Sequence, residues 1–133
     1  MLKTRYTLSG ISPFAFDTTV EHVRQELRAH GFGVLCEIDV RATLLDKLGI
    51  ETEPYLILGA CTAHVAHEAL DVEPELGVLL PCNVVVYEHH GLVRVSAVDP
   101  ERLLELADNE ELDPFAADIR ARLTDVVESA TSR

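Results

Sequence analysis

The segment from Pro54 to Glu88 constrains the fold more than any other part of the sequence. It contains two apolar runs of strand length, with Cys61 after the first run and Cys82 just before the second. If the two strands pair side by side and antiparallel, the end of one lies next to the start of the other. We therefore expect the two thiols to share one rim of a sheet, although 21 positions separate them in the sequence.

The composition is typical of one folded domain with an aliphatic core. Of the 133 residues, 47% are hydrophobic, only 5% are aromatic and none is tryptophan. A chain of this length buries roughly two-thirds of the surface that it exposes when unfolded. We therefore expect residues 1–133 to form a single domain whose core is built from valine, leucine and isoleucine.

The net charge of −12, from 23 acidic and 11 basic residues, limits the classes of partner. A field of this sign repels phosphate backbones and anionic lipid surfaces, so we expect binding to neither nucleic acid nor membranes. The first ten residues contain no apolar secretory segment, which favours a cytoplasmic location and free thiols. Because only Lys3 and Lys47 are lysines, adaptation to high salt is a further hypothesis, with solubility alone as the alternative.

Hydrophobic periodicity predicts strands and helices that alternate through much of the chain. The predicted strands are 2–8, 33–39, 55–59, 84–88 and 92–98, and the predicted helices are 19–30, 41–48, 63–70, 100–107 and a last one through 115–126. This order favours an α+β fold in which a single, mostly antiparallel sheet of about five strands has its major helices on one face.

Two local patterns make the prediction more specific near the first helix. Thr18 and Glu21 have the spacing of a capping box, which places the helix start at Thr19. In the strand that follows, Val34, Cys36 and Ile38 share one face, and Leu35, Glu37 and Asp39 share the other. Simple alternation therefore predicts that Cys36 is a buried, structural cysteine.

The candidate ligand site consists of Cys61, Thr62, Cys82 and Asn83. Thr62 is the expected cap of the next helix, and unpaired amides at a helix start lower the pKa of a nearby thiol such as Cys61. If the Cα atoms of the two cysteines lie ~4.4–6.8 Å apart, they could form a reversible disulfide. The structural alternative is that two small residues fill tight turns, with the Asn83 amide bonding to the turn.

A metal site is a second hypothesis for the same rim. Cys61 and His64 are three positions apart, so they lie on neighbouring faces of a helix. Together with Cys82 they would offer three ligands suited to zinc or copper(I). The spacing matches no standard zinc motif, and a solvated histidine is the structural alternative.

The segments PYLILGAC and GVLLPCNVVVYE, with HEAL between them and IDVRATLLDKLGIE before, resemble domain of unknown function family 302. The resemblance extends over most of the chain and implies an α+β sheet of the TATA-binding-protein-like type, with no general activity attached. Family members often have Asn-Pro after the first cysteine, whereas Thr62-Ala63 stands here. Threonine also caps helices, so this departure leaves the implied fold intact.

Three functions remain open from the sequence. The first is a binding module for a metal ion or small molecule at the rim formed by Cys61 and Cys82. The second is a thiol redox protein that cycles a disulfide between these two residues, and the third is a homodimerising domain without catalysis. The sequence contains no phosphate-binding loop, no G-x-S-x-G and no paired C-x-x-C, so it identifies neither a reaction nor a cofactor.

Overall fold

A five-stranded antiparallel sheet organises the chain in the computed structural model, which describes residues 4–133. The strand order across the sheet is β1-β5-β4-β3-β2. The strands are β1 (Thr7–Ser12), β2 (Gly33–Asp39), β3 (Tyr55–Cys61), β4 (Cys82–His89) and β5 (Leu92–Val98). The predicted pairing of the two cysteine-bearing strands is confirmed, because β3 and β4 are antiparallel neighbours at the centre of the sheet.

Within residues 4–133, five α-helices and three short 3-10 helices connect and cover these strands. The α-helices are α1 (Phe16–Ala29), α2 (Val40–Leu48), α3 (Ala63–Val72), α4 (Pro100–Leu104) and α5 (Asp113–Ala130), and the 3-10 helices are Pro74–Leu79, Glu105–Ala107 and Glu110–Leu112. The predicted α+β class is thus confirmed, and the arrangement is compatible with a TATA-binding-protein-like fold. No helix within residues 4–133 is long and apolar enough to cross a bilayer.

The main core lies between one face of the sheet and the two long helices, α1 and α5. Every second residue along the central strands points to this face, and Leu58, Val84 and Val95 are fully buried there. Leu27 of α1 and Leu123 of α5 meet them from the helical side and are also fully buried. We call this side of the sheet the covered face and the opposite side the open face. Each fully buried side chain of this size contributes about 1.5–3 kcal/mol through the hydrophobic effect.

The first strand lies further along the chain than its hydrophobic pattern predicts. The predicted strand 2–8 is wrong in its bounds: β1 is Thr7–Ser12, and positions 2 and 3 lie outside the described residues. Small polar residues weaken the alternation in β1, but its backbone pairs with β5 from Thr7 opposite Val98 to Ser12 opposite Val93. Gly10 also fits closely against the end of α5, where an added Cβ would lie 2.8 Å from Thr131 Oγ1.

The first helix begins before the predicted capping box. Its N-cap is Ala15, which makes no side-chain cap bond, and Thr18 lies inside the first turn. The buried Thr19 hydroxyl instead bonds to Ser12 Oγ at 2.6 Å and donates to the Ala15 carbonyl at 2.9 Å. These bonds tie the helix start to the end of β1. The predicted stop is confirmed, since Gly31 has a left-handed φ of 84° just beyond the helix.

A β-bulge in β2 reverses the predicted orientation of Cys36. Val34 pairs with Ala60, but the next paired residue is Cys36, opposite Gly59, so Leu35 is the inserted residue. Val34 therefore packs against the main core, whereas Cys36 lies on the open face and is exposed. The prediction that Cys36 is buried is wrong because strict alternation does not hold across a bulge.

We expect Gly59→Ala to destabilise the fold by about 1–3 kcal/mol through overpacking. An added Cβ would lie 2.7 Å from Cys36 Sγ and 2.9 Å from Pro81 Cγ, so neighbouring side chains would have to move. Urea denaturation followed by circular dichroism measures the loss. Adding Cys36→Ala should recover part of it, and a purely additive double variant would contradict the proposed clash.

Candidate functional site

The two thiols of the candidate site occupy adjacent positions at one rim of the sheet. Cys61 is the last residue of β3 and Cys82 is the first residue of β4. Ala60 is the direct cross-strand partner of Cys82, so Cys61 is one residue beyond that pair. Both cysteines carry free thiols. The antiparallel geometry therefore brings them together as the sequence predicts.

Both thiols line one small cavity below the main core. Its volume is about 40 Å³, and residues of α3, α4 and α5 line it together with the strand ends. We call it the thiol cavity. Its lining is almost entirely apolar and includes, besides the two cysteines, Phe32, Val65, Ala66, Leu104, Phe115 and Ile119.

Burial makes both cysteines weaker acids than an exposed thiol. It raises the pKa of Cys61, and it raises the pKa of Cys82 to about 11, with a smaller contribution from the neighbouring Cys61 charge. The prediction of a lowered Cys61 pKa is wrong, because loss of hydration in an apolar site disfavours the thiolate. At neutral pH the cavity therefore holds two protonated, uncharged thiols.

Thr62 takes the predicted position at the start of α3 without the predicted bond. It is the N-cap residue and is buried, but its side chain makes no cap hydrogen bond. Thr62 also lines the thiol cavity beside Cys61. Its contribution to the site is therefore packing rather than polarisation of the helix start.

The structure places Asn83 on the other side of the sheet from Cys82. Adjacent strand residues point to opposite faces, so Cys82 faces the core while Asn83 is exposed on the open face. The prediction that both residues belong to one ligand site is corrected accordingly.

The structure also does not bring His64 to the two thiols. Its side chain is 86% exposed, and its Nε2 lies 3.1 Å from Glu68 Oε1 one helical turn away. Among residues 4–133 no group of three or more His, Cys, Asp or Glu side chains is arranged to hold a metal ion. The predicted trio of Cys61, His64 and Cys82 is therefore not assembled in this structure.

A second concave region, which the sequence did not reveal, lies on the open face across β1, β5, β4 and β3. Its volume is about 400 Å³. We call it the open-face groove. It contains Asn83 and Arg94 together with all three tyrosines of the chain, Tyr6, Tyr55 and Tyr87. The alternation of β5 shows that Arg94 faces away from the core, but only strand order brings the tyrosines beside it.

A protein-family model matches most of this chain. The family is described as domain of unknown function DUF302, and the match covers residues 9–130. The chain belongs to the DUF302 family. The resemblance that the cysteine-bearing strands indicate is thereby confirmed, and it brings no established activity with it.

A solved DUF302 structure shares the fold. It is the crystal structure of an uncharacterised conserved DUF302 protein from Bacillus stearothermophilus, with a TM-score of 0.89 and 27% sequence identity. The match covers 96% of this chain and 99% of the Bacillus chain. No curated protein is significantly similar in sequence to this DUF302 chain.

We expect the buried thiol of Cys82 to make folding stability depend on alkaline pH. Its pKa rises from an ordinary 9.0 to about 11 on folding, so the unfolded chain loses this proton first as pH rises. Stability is therefore full below about pH 9 and falls between pH 9 and 11, by about 2–3 kcal/mol from this group. Urea denaturation at several pH values measures the fall.

The matched variants are Cys82→Ala, which should flatten the alkaline decline, and Cys36→Ala, which should leave it unchanged because Cys36 is exposed. Comparing slopes rather than absolute stabilities removes the packing loss that Cys82→Ala itself causes. Parallel pH curves for the unaltered protein and Cys82→Ala would contradict the assignment.

Proposed function

We propose that this DUF302 protein is a binding module for a small, uncharged, apolar molecule held in the thiol cavity. The observation that supports this proposal is the cavity itself. It has a volume of about 40 Å³ and is lined almost entirely by apolar side chains and the two cysteines. Sites for small ligands are concave and mostly apolar, with few polar groups to fix orientation. Cys61 and Cys82 would be those groups.

The size of the thiol cavity limits the ligand. One water molecule needs a cavity of about 10–15 Å³. The thiol cavity, with about 40 Å³, therefore has room for about three waters. Apolar walls give waters few hydrogen-bond partners, which favours an apolar occupant. We therefore infer a molecule of only a few heavy atoms, or the short apolar end of a longer one.

The protonation of the thiols favours an uncharged ligand over a metal ion. A soft metal binds thiolates, so both Cys61 and Cys82 would have to release protons that burial retains. The third ligand of the metal hypothesis, His64, is exposed and paired with Glu68. These features support the small-molecule alternative more strongly than zinc or copper(I).

Redox cycling is a second candidate, and the adjacency of the thiols favours it. Cys61 directly follows the cross-strand partner of Cys82, and both residues line the thiol cavity, so the two cysteines are close neighbours. The raised pKa values act against this function, since the thiolate is the attacking species in disulfide exchange. We expect slow exchange at neutral pH and faster exchange as pH rises.

Homodimerisation is a third candidate, supported by exposed apolar side chains on the open face. Ile38 is 48% exposed, Ile11 39% and Tyr6 62%. Sedimentation equilibrium tests this alternative, because a dimer that uses the face should dissociate in an Ile38→Lys variant.

Xenon under pressure tests the thiol cavity with a probe of known apolar character. We expect saturable changes in the methyl NMR signals of Val65 and Ile119, which line the cavity. Ala66→Leu should abolish them by filling the space, whereas Ala63→Leu, on the exposed side of the same helix, should not. Equal xenon responses in the two variants, or none in the unaltered protein, would refute the cavity as a binding site.

Native mass spectrometry of protein purified without reductant identifies the natural occupant. We expect a small organic adduct that is lost in Ala66→Leu. A metal adduct lost in Cys82→Ser would favour the metal hypothesis instead. A deficit of about two mass units, restored by reductant, would favour the disulfide.

A further inference from the structure

The open face of the sheet contains one ionised group at its strand positions, Arg94. By strand register, the strand carboxylates Glu37, Asp39 and Glu88 all share the orientation of residues on the covered face. Glu37 is ion-paired there with Arg24 of α1, whose hydrogen bond lowers the pKa of Glu37. In a chain with 23 acidic residues, the open-face groove is lined by none of them.

Arg94 has no counter-ion among residues 4–133. It makes no ion pair within residues 4–133, and its Nε is shielded from solvent with no hydrogen-bond partner. Positions 1–3 are Met, Leu and Lys, which carry no side-chain carboxylate. Partial burial of an unpaired guanidinium is costly, and an anion on its terminal nitrogens would offset this cost.

The surroundings of Arg94 supply neutral hydrogen-bond donors. Tyr87 is its cross-strand neighbour on β4, and Ser96, two residues along β5, bonds to Ser9 Oγ at 2.8 Å. Burial raises the pKa of Tyr55, with smaller contributions from Tyr87 and Tyr6, so this phenol stays protonated at neutral pH. Hydroxyls of this kind bond to an anion without adding repulsive charge.

Aromatic surface adjoins the same groove. The rings of Tyr55 and Tyr87 are stacked across β3 and β4 with centroids 5.2 Å apart and an interplanar angle of 19°. Tyr6 also lines the groove and is 62% exposed. Aromatic side chains in this setting favour the flat, apolar ring of a ligand.

We propose that the open-face groove binds a small organic anion that carries an aromatic ring. The carboxylate or phosphate accepts hydrogen bonds from the terminal nitrogens of Arg94, and the ring packs on the tyrosines. A groove of about 400 Å³ has the size of a small-molecule site. This site lies on the opposite side of the sheet from the thiol cavity and does not depend on the function proposed there.

Charge argues against the main competing occupant, a second copy of the chain. A symmetric dimer through this face would bury two Arg94 guanidinium groups, and the groove offers neither of them a carboxylate. Burying an unpaired charge is strongly unfavourable. A small anion neutralises the same group, so it fits the face better than a second copy does.

Nitrogen-15 NMR of the full chain tests the proposal, because the Arg94 Nε–H gives its own signal. The probes are benzoate and phenyl phosphate, which present the two anionic groups on the same ring, and benzyl alcohol is the uncharged control. The variant is Arg94→Gln. The matched control is Arg102→Gln, since Arg102 is paired with Glu105 and lies outside the groove.

We expect at least one of the two anions to shift the Arg94 Nε–H and the amides of Tyr55 and Tyr87 in a saturable manner. Benzyl alcohol should bind at least tenfold more weakly, and this comparison uses the unaltered protein, so it decides even if Arg94→Gln fails to fold. Arg94→Gln should weaken anion binding at least tenfold, and Arg102→Gln should leave it unchanged.

Three results would overturn the proposal. The first is that neither anion binds, and the second is that benzyl alcohol binds as well as they do. The third is a concentration-dependent dimer that shifts the Arg94 signal without added anion, which would assign the face to a second copy.

Discussion

The rest of the structure depends on the antiparallel pairing of β3 with β4. This pairing places Leu58 opposite Val84 and Leu56 opposite Val86 on the covered face. Burial of that aliphatic surface under α1 and α5 fixes the register, because a slip of one residue would turn every core side chain toward water. Once the register is fixed, the orientation of every other residue on the two strands follows from it.

Two chemically different sites follow from this one register. Ala60 and Cys82 face the core, so the rim beside them is apolar and burial raises the pKa of its thiols. Gly59 and Asn83, one residue away on each strand, lie on the open face, and Asn83 lines the open-face groove. The sheet thus separates an uncharged apolar cavity from a polar groove with a cation, and neighbouring residues in the sequence serve different sites.

The sequence was sufficient to predict the class of fold and the meeting of Cys61 with Cys82, because both depend on strong local patterns. Apolar runs identify β3 and β4, and antiparallel pairing brings their cysteines to one rim. The bulge at Leu35 could not be predicted, since it depends on how β2 pairs with β3 rather than on its own alternation. Asn83 lies outside the thiol site because side chains alternate along β4, so that Cys82 faces the core and Asn83 the open face.

The acid strength of Cys61 could not be predicted for a related reason. The sequence shows a helix start beside the thiol, but the opposing effect of burial depends on the apolar cavity that Cys61 shares with residues of α3, α4 and α5. The importance of Arg94 likewise depends on strand order. Only the sheet shows that no carboxylate lies beside it and that residues 6, 55 and 87 meet in one groove.

The net charge of −12 is expected to disfavour the binding of polyanions more strongly than that of a small anion. A nucleic acid must contact an extended surface, where it meets the acidic side chains directly and gains from few cations. A small anion at Arg94 meets no carboxylate in the groove, and acids elsewhere act across distances that physiological salt screens beyond about 8 Å. We therefore expect short-range pairing with the guanidinium to outweigh the distant repulsion, which makes a local anion site compatible with an acidic protein.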